Sequence, residues 1–117
     1  MTAAGAAEDV LQLVDIPEPE ITASDQIKVQ LRAAGINPID TKLRSRGVFF
    51  SDALPTILGC DGAGVITAVG DAVTRFKKGD AVWFCHGGLG DAPGNYAGYT
   101  VLPEAEAEPK PAALDFT

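Results

Sequence analysis

Gln26-Ile27-Lys28-Val29-Gln30-Leu31-Arg32-Ala33 sets the fold class. Ile27, Val29, Leu31 and Ala33 fall on one side of an extended chain; Lys28, Gln30 and Arg32 fall on the other. A period of two is that of a strand with one buried and one wet face. Just beyond it, Gly35-Ile36-Asn37-Pro38 breaks the alternation. Pro38 suits a first helical position, where its missing N–H costs nothing, and Asn37 suits the N-cap before it. Ile39 to Ser45 then makes a turn or two of helix, with Gly47 as its stop.

Working outward, the same punctuation recurs. Upstream, Val10 to Ile16 is a short apolar run stopped by Pro17 and Pro19, which predicts a strand. Residues 1–9 are expected to be a flexible lead-in. Downstream, Val65 to Val69 predicts a buried strand ending at Gly70-Asp71. Lys77-Lys78-Gly79-Asp80 is a tight turn before a strand over Ala81 to Cys85. A glycine-rich loop, Gly87 to Gly94, leads to a strand over Tyr96 to Leu102. Residues 103–113, rich in Pro, Glu and Ala, read as the way out of a domain. Five or six short strands with one short helix predict a mainly β chain, a small barrel or sandwich. The strand–helix alternation of a dinucleotide-binding domain is missing.

The chain has 117 residues, enough for one domain with a real core. Thirteen glycines and eight prolines suit strands joined by tight turns better than a helical bundle. A net charge of −7 and a pI near 4.4 argue against a nucleic-acid surface and against anionic lipid, both of which need a positive face. An anionic cofactor needs only a local pocket and stays open. Met1 to Glu8 lacks the basic and apolar regions of a signal peptide, and no apolar run nears the ~20 residues of a membrane helix. A cytoplasmic location is the expectation. Cys60 and Cys85 have no framework spacing and read as free thiols, with one disulfide open if their Cα atoms approach within ~7 Å.

Three stretches carry a family resemblance. They are Ala34-Gly35-Ile36-Asn37-Pro38-Ile39-Asp40-Thr41-Lys42-Leu43-Arg44-Ser45, Leu54 to Val65 with Ala68-Val69-Gly70, and Phe76 to Val82 followed by Asn95-Tyr96-Ala97-Gly98-Tyr99. In order and spacing, residues 10–114 resemble the N-terminal GroES-like domain of the medium-chain dehydrogenase/reductase superfamily, in particular its zinc-free quinone oxidoreductases. The resemblance implies an irregular GroES-like β-barrel with one or two short helices. It also implies a Rossmann domain after residue 117, with NADP(H) in the cleft between the two. No Gly-x-Gly-x-x-Gly occurs in the chain, so the pyrophosphate site is expected in that following domain. The reading is therefore half an enzyme, inactive alone and possible as a monomer, from a full-length protein expected to be a homodimer acting on a small-molecule acceptor.

The resemblance also bears on metal. Zinc enzymes of the superfamily use Cys, His and Cys, with a Glu beside the His. Here the first position matches Asn37, a poor zinc ligand, and the His-Glu pair matches Cys60-Asp61. The four-cysteine structural lobe has no counterpart, since only Cys85 follows Asp80. No metal is expected, and His86 reads as a loop histidine.

Asn37 is the leading candidate for catalysis and cofactor contact; in the zinc-free relatives the matching Asn lies near the nicotinamide and its ribose, and its amide can donate and accept. The competing reading is a pure N-cap. Pro38 and Ile39 are cofactor-contact candidates beside it. Lys42 stands where many relatives carry Tyr; it can pair with a cofactor phosphate or a developing oxyanion, or be a solvated helix charge. Asp40 and Arg44 are spaced for an i, i+4 pair, with Asp40 expected to tie the helix to a neighbouring loop and not to act as a base. Phe49 and Phe50 can roof an acceptor pocket or plug a barrel end. Of Tyr96 and Tyr99, one is expected in the core. The overall expectation is a zinc-free NAD(P)H oxidoreductase of quinones, enones or related carbonyls. Two alternatives are a zinc alcohol dehydrogenase using Cys60 and Asp61, and a non-enzymatic GroES-like binding module.

Overall fold

The computed structural model describes residues 1–49 and 54–117. Its centre is the predicted strand, β1, over Gln26–Ala34. Ile27 and Val29 are fully buried, while Lys28 and Gln30, on the other face, are only partly covered. β1 lies between β2 (Asp61–Val69) and β4 (Tyr99–Pro103), antiparallel to both. β2 pairs on its far side with β3 (Ala81–Cys85), and β3 with the three-residue β5 (Ala107–Pro109). Among the described residues, two α-helical pieces accompany the sheet, α1 (Ala7–Val10) and α2 (Pro38–Arg46).

The buried faces of these strands make one core: Ile27 and Val29 of β1, Ile66 of β2, Val82 and Phe84 of β3, Leu102 of β4 and Ala107 of β5. Burying a large aliphatic side chain is worth roughly 1.5–3 kcal/mol, so this shared face dominates the stability of the sheet. Gly64 sits opposite Leu31, where a Cβ would lie 2.1 Å from the Gln30 carbonyl oxygen. Only glycine lets β1 and β2 approach so closely. Register shifts flank this region, between Lys28 and Val29 and between Leu31 and Ala33. Such bulges sharpen the local twist and turn β1 toward the corner that starts α2.

The expected barrel is not what forms. The sheet is open, in the order β4-β1-β2-β3-β5, and β4 and β5 are its two edges. Closure needs the edge strands to exchange ladder hydrogen bonds. Here a 3-10 turn over Glu104–Glu106 separates them in sequence, β5 is only three residues long, and Pro103 and Pro109 bring no N–H.

Three further expectations change. Val10 to Ile16 is not a strand: Val10 ends α1, and the following residues have no ladder partner among the described residues, leaving Leu11, Leu13, Val14 and Ile16 exposed. Residues 103–113 are not simply an exit, because β5 completes one edge of the sheet. The strand predicted from Tyr96 begins at Tyr99, and neither tyrosine is a core residue. Residues 1–10 are held by backbone bonds, from Thr2 to Val10, Gly5 to Arg44 and Thr56 to Met1. No helix among the described residues is long and apolar enough to cross a membrane.

Candidate active site

The corner between β1 and α2 gathers the polar side chains. Pro38 opens α2, and Gly47 N–H closes it onto the Leu43 carbonyl at 2.9 Å. Leu43 anchors the helix by burial. Asp40, in the first turn, is 2% exposed, and its Oδ2 accepts the Asn37 backbone N–H at 2.7 Å. A carboxylate there both satisfies an orphan donor and complements the positive end of the helix. The Asn37 side chain makes a different contact: Nδ2 donates to Asp61 Oδ2 at 2.7 Å. Asn37 is thus more than a cap, since its side chain links α2 to the first residue of β2.

A third segment enters from the glycine-rich side. The Tyr96 hydroxyl donates to Asp40 Oδ2 at 3.1 Å, with the Gly35 carbonyl oxygen at 3.4 Å. Its ring lies over Gly59, whose φ is +103° and where a Cβ would come within 2.6 Å of the ring. Burial first, and then the Asp40 carboxylate, push the Tyr96 hydroxyl up to about 12. The same two causes, in the same order, push the Cys60 thiol up to about 11. Cys60 is a packed, protonated thiol at neutral pH. Cys85 is free and exposed, and its thiol is also raised, by burial and then by Asp61. The second oxygen of Asp40, Oδ1, is buried and unpartnered among the described residues.

Asn95 braces the base of the cluster. It is 1% exposed, and its Nδ2 lies 3.0–3.1 Å from the carbonyls of Gly59, Cys60 and His86. His86 is a loop histidine, as expected, and its Nδ1 sits 2.9 Å from Glu106 Oε2. An open cleft of about 690 Å³ runs along the starts and ends of the central strands, with Asp61, Trp83, Cys85, Glu106 and Phe116 on its walls. Asp61 therefore faces this cleft and holds Asn37 as well.

Of the sequence candidates, Asn37 and Ile39 are half-buried, while Pro38 and Lys42 are exposed on one face of α2, four positions apart. Lys42 makes no ion pair among the described residues. Asp40 ties the helix to the loop at Tyr96, as its sequence reading held, and does not pair with Arg44, whose guanidinium goes to the Gly5 carbonyl. Phe49 is 67% exposed and plugs nothing; Phe50 lies outside the described residues. Asp61 entered the sequence reading only through the zinc alternative with Cys60; Tyr96 and Asn95 were not singled out as site members from sequence. The only signal for them was that each falls within a stretch that carries the resemblance. Among the described residues, no three His, Cys, Asp or Glu side chains gather where they could hold a metal ion.

The chain is similar to known oxidoreductases in sequence and in structure. The rat quinone oxidoreductase is 39% identical over 111 residues, covering 92% of this chain and 32% of its own length. A crystal structure of an NAD-dependent alcohol dehydrogenase superposes with a TM-score of 0.88 at 34% identity, covering 99% of this chain and 40% of that one. The Escherichia coli quinone oxidoreductase, solved in complex with NADPH, gives 0.83 at 34% identity, covering 98% and 33%. The chain spans about a third of the length of the curated relatives it matches. The family model of the alcohol dehydrogenase GroES-like domain matches residues 23–112, and the chain belongs to that family.

Proposed function

We propose that residues 10–114 are the N-terminal, catalytic-type domain of an NAD(P)H-dependent oxidoreductase that reduces quinones, enones or related carbonyls without zinc. The observation that carries this reading is the 2.7 Å bond from Asn37 Nδ2 to Asp61 Oδ2. These two positions match ligand-side positions of the zinc enzymes, and here they satisfy each other. An amide nitrogen that donates has no lone pair for a metal, and the neighbouring Cys60 is buried and protonated. The donor set does not fit zinc.

The same corner suits a nicotinamide cofactor held mainly by a Rossmann domain outside this chain. When bound, the cofactor supplies a hydride. Asn37 offers a fixed amide for orienting it, Pro38 and Ile39 offer apolar contact, and Lys42 offers an exposed positive charge for a phosphate or a developing oxyanion. Conjugated acceptors need little further activation, so positioning carries most of the chemistry. The full-length protein on this reading is a cytoplasmic homodimer.

Steady-state assays on the full-length protein test this. NADPH oxidation with a quinone acceptor is expected to survive exhaustive chelation. Activity that disappears on chelation and returns with zinc sinks the reading.

A further inference from the structure

We infer that Asp61 is a positioning residue that acts through Asn37. The inference rests on the functional reading above and gives a role to a residue that the sequence raised only as a metal ligand in the zinc alternative.

Asp61 is the first residue of β2, and its strand neighbour is Cys85. Gly35 N–H donates to the Asp61 carbonyl at 3.1 Å, which seats the β1–α2 corner directly over the start of β2. A Cβ on Gly35 would stand 3.3 Å from the Asp61 Cβ, so the absence of a side chain there gives Asp61 room at the corner. The carboxylate meets Asn37 Nδ2 at 2.7 Å and has no cation paired with it among the described residues.

The chemistry of the two groups makes the contact directional. An ionised carboxylate only accepts, so the amide must turn its nitrogen, not its oxygen, toward Asp61. This removes the twofold ambiguity that a terminal amide otherwise has about its last torsion. The Asn37 backbone is fixed independently, through Asp40. The residue is therefore held at two points by two carboxylates from different elements. Of these, only Asp61 sets which way the amide faces. Asp61 also lines the open cleft, so the fixed amide stands at its margin. Misplacing such a group by about 1 Å can cost on the order of a hundredfold in rate.

Two readouts test the inference on the full-length protein. The first is the side-chain amide of Asn37 in ¹⁵N-labelled protein, identified by its loss in Asn37→Ala. One of its two protons is expected well downfield and slow to exchange, and Asp61→Ala is expected to collapse that difference. Asp61→Glu, which keeps an acceptor, is expected to keep part of it. An amide signal indifferent to Asp61→Ala overturns the inference.

The second readout is kinetic. Asp61→Ala is expected to lower kcat/KM for NADPH by about tenfold or more, but to add nothing in an Asn37→Ala background. Asp61→Glu is expected to recover part of the loss. Full activity of Asp61→Ala in an enzyme that Asn37→Ala cripples overturns the inference alone. Equal, additive losses in both backgrounds also overturn it, because they place Asp61 outside the Asn37 pathway. A full-length protein that oxidises no NAD(P)H overturns the functional reading, and the amide signal then still decides whether Asp61 orients Asn37.

Discussion

Tyr96 and Cys60 both feel the buried Asp40 carboxylate, Tyr96 through a hydrogen bond and Cys60 through its charge. Both are acids whose neutral form the fold favours, and this fixes the sign of a pH effect. Their ordinary values are 10.0 and 9.0, and in the folded chain they stand at about 12 and about 11. The unfolded chain therefore releases these protons first as pH rises. Their contribution to stability is complete below about pH 9 and is lost progressively up to about pH 12. Denaturant midpoints measured across that range are expected to fall with pH, and less steeply in the double variant Cys60→Ala, Tyr96→Phe. Matching slopes in the two proteins refute the assignment. Asn37 and Asp40 were legible in sequence because they act across one helical turn. Tyr96 was not, because its partner lies 56 positions away and becomes a neighbour only when the sheet forms. Gly59, which accommodates the Tyr96 ring, gives no local sign of that partner for the same reason.

Among the elements, β1 was legible almost to the residue. Its alternation is a local consequence of having one buried face, and Ile27 and Val29 turn out fully buried on that face. Ile27→Ala is expected to cost about 2–5 kcal/mol, since it removes buried methylenes from a site flanked by both β2 and β4. Urea titration checks this; a loss below about 1 kcal/mol would mean that the β1 face is not the core the burial indicates. The α2 helix was also readable, from Pro38 at its start to Gly47 at its end. Two elements escaped for opposite reasons. Val10 to Ile16 has the composition of a strand but finds no ladder partner among the described residues, and a strand is defined by its partner. β5 has a partner but no pattern, because Ala107-Glu108-Pro109 is too short to show a period.

The molecule as a whole departs from the expected shape because closure is a property of two edges and not of strand count. Counting strands gave the right number, near five, while nothing local announces whether β4 and β5 will pair. The resemblance fixed the family correctly, and the open sheet corrected the architecture attached to it. The unpartnered segment matters at this scale too. Leu13 is 105% exposed, with Val14 and Ile16 beside it, so none of the three contributes to the core of this chain. Leu13→Asp in this chain is expected to leave the unfolding midpoint within about 0.5 kcal/mol of the parent. A loss of 2 kcal/mol or more, on the order of a core deletion, would show that the segment packs in solution.

The strand order has a consequence for how the chain is made. β1 is synthesised well before its outer partner, β4, with Ile27 facing Leu102. Until β4 leaves the ribosome, one edge of β1 carries unsatisfied amides beside an apolar face. Pairings between such distant segments form slowly, and an uncovered strand edge is where newborn chains stick to one another. The nascent protein thus passes through an association-prone interval between the release of β1 and the release of β4.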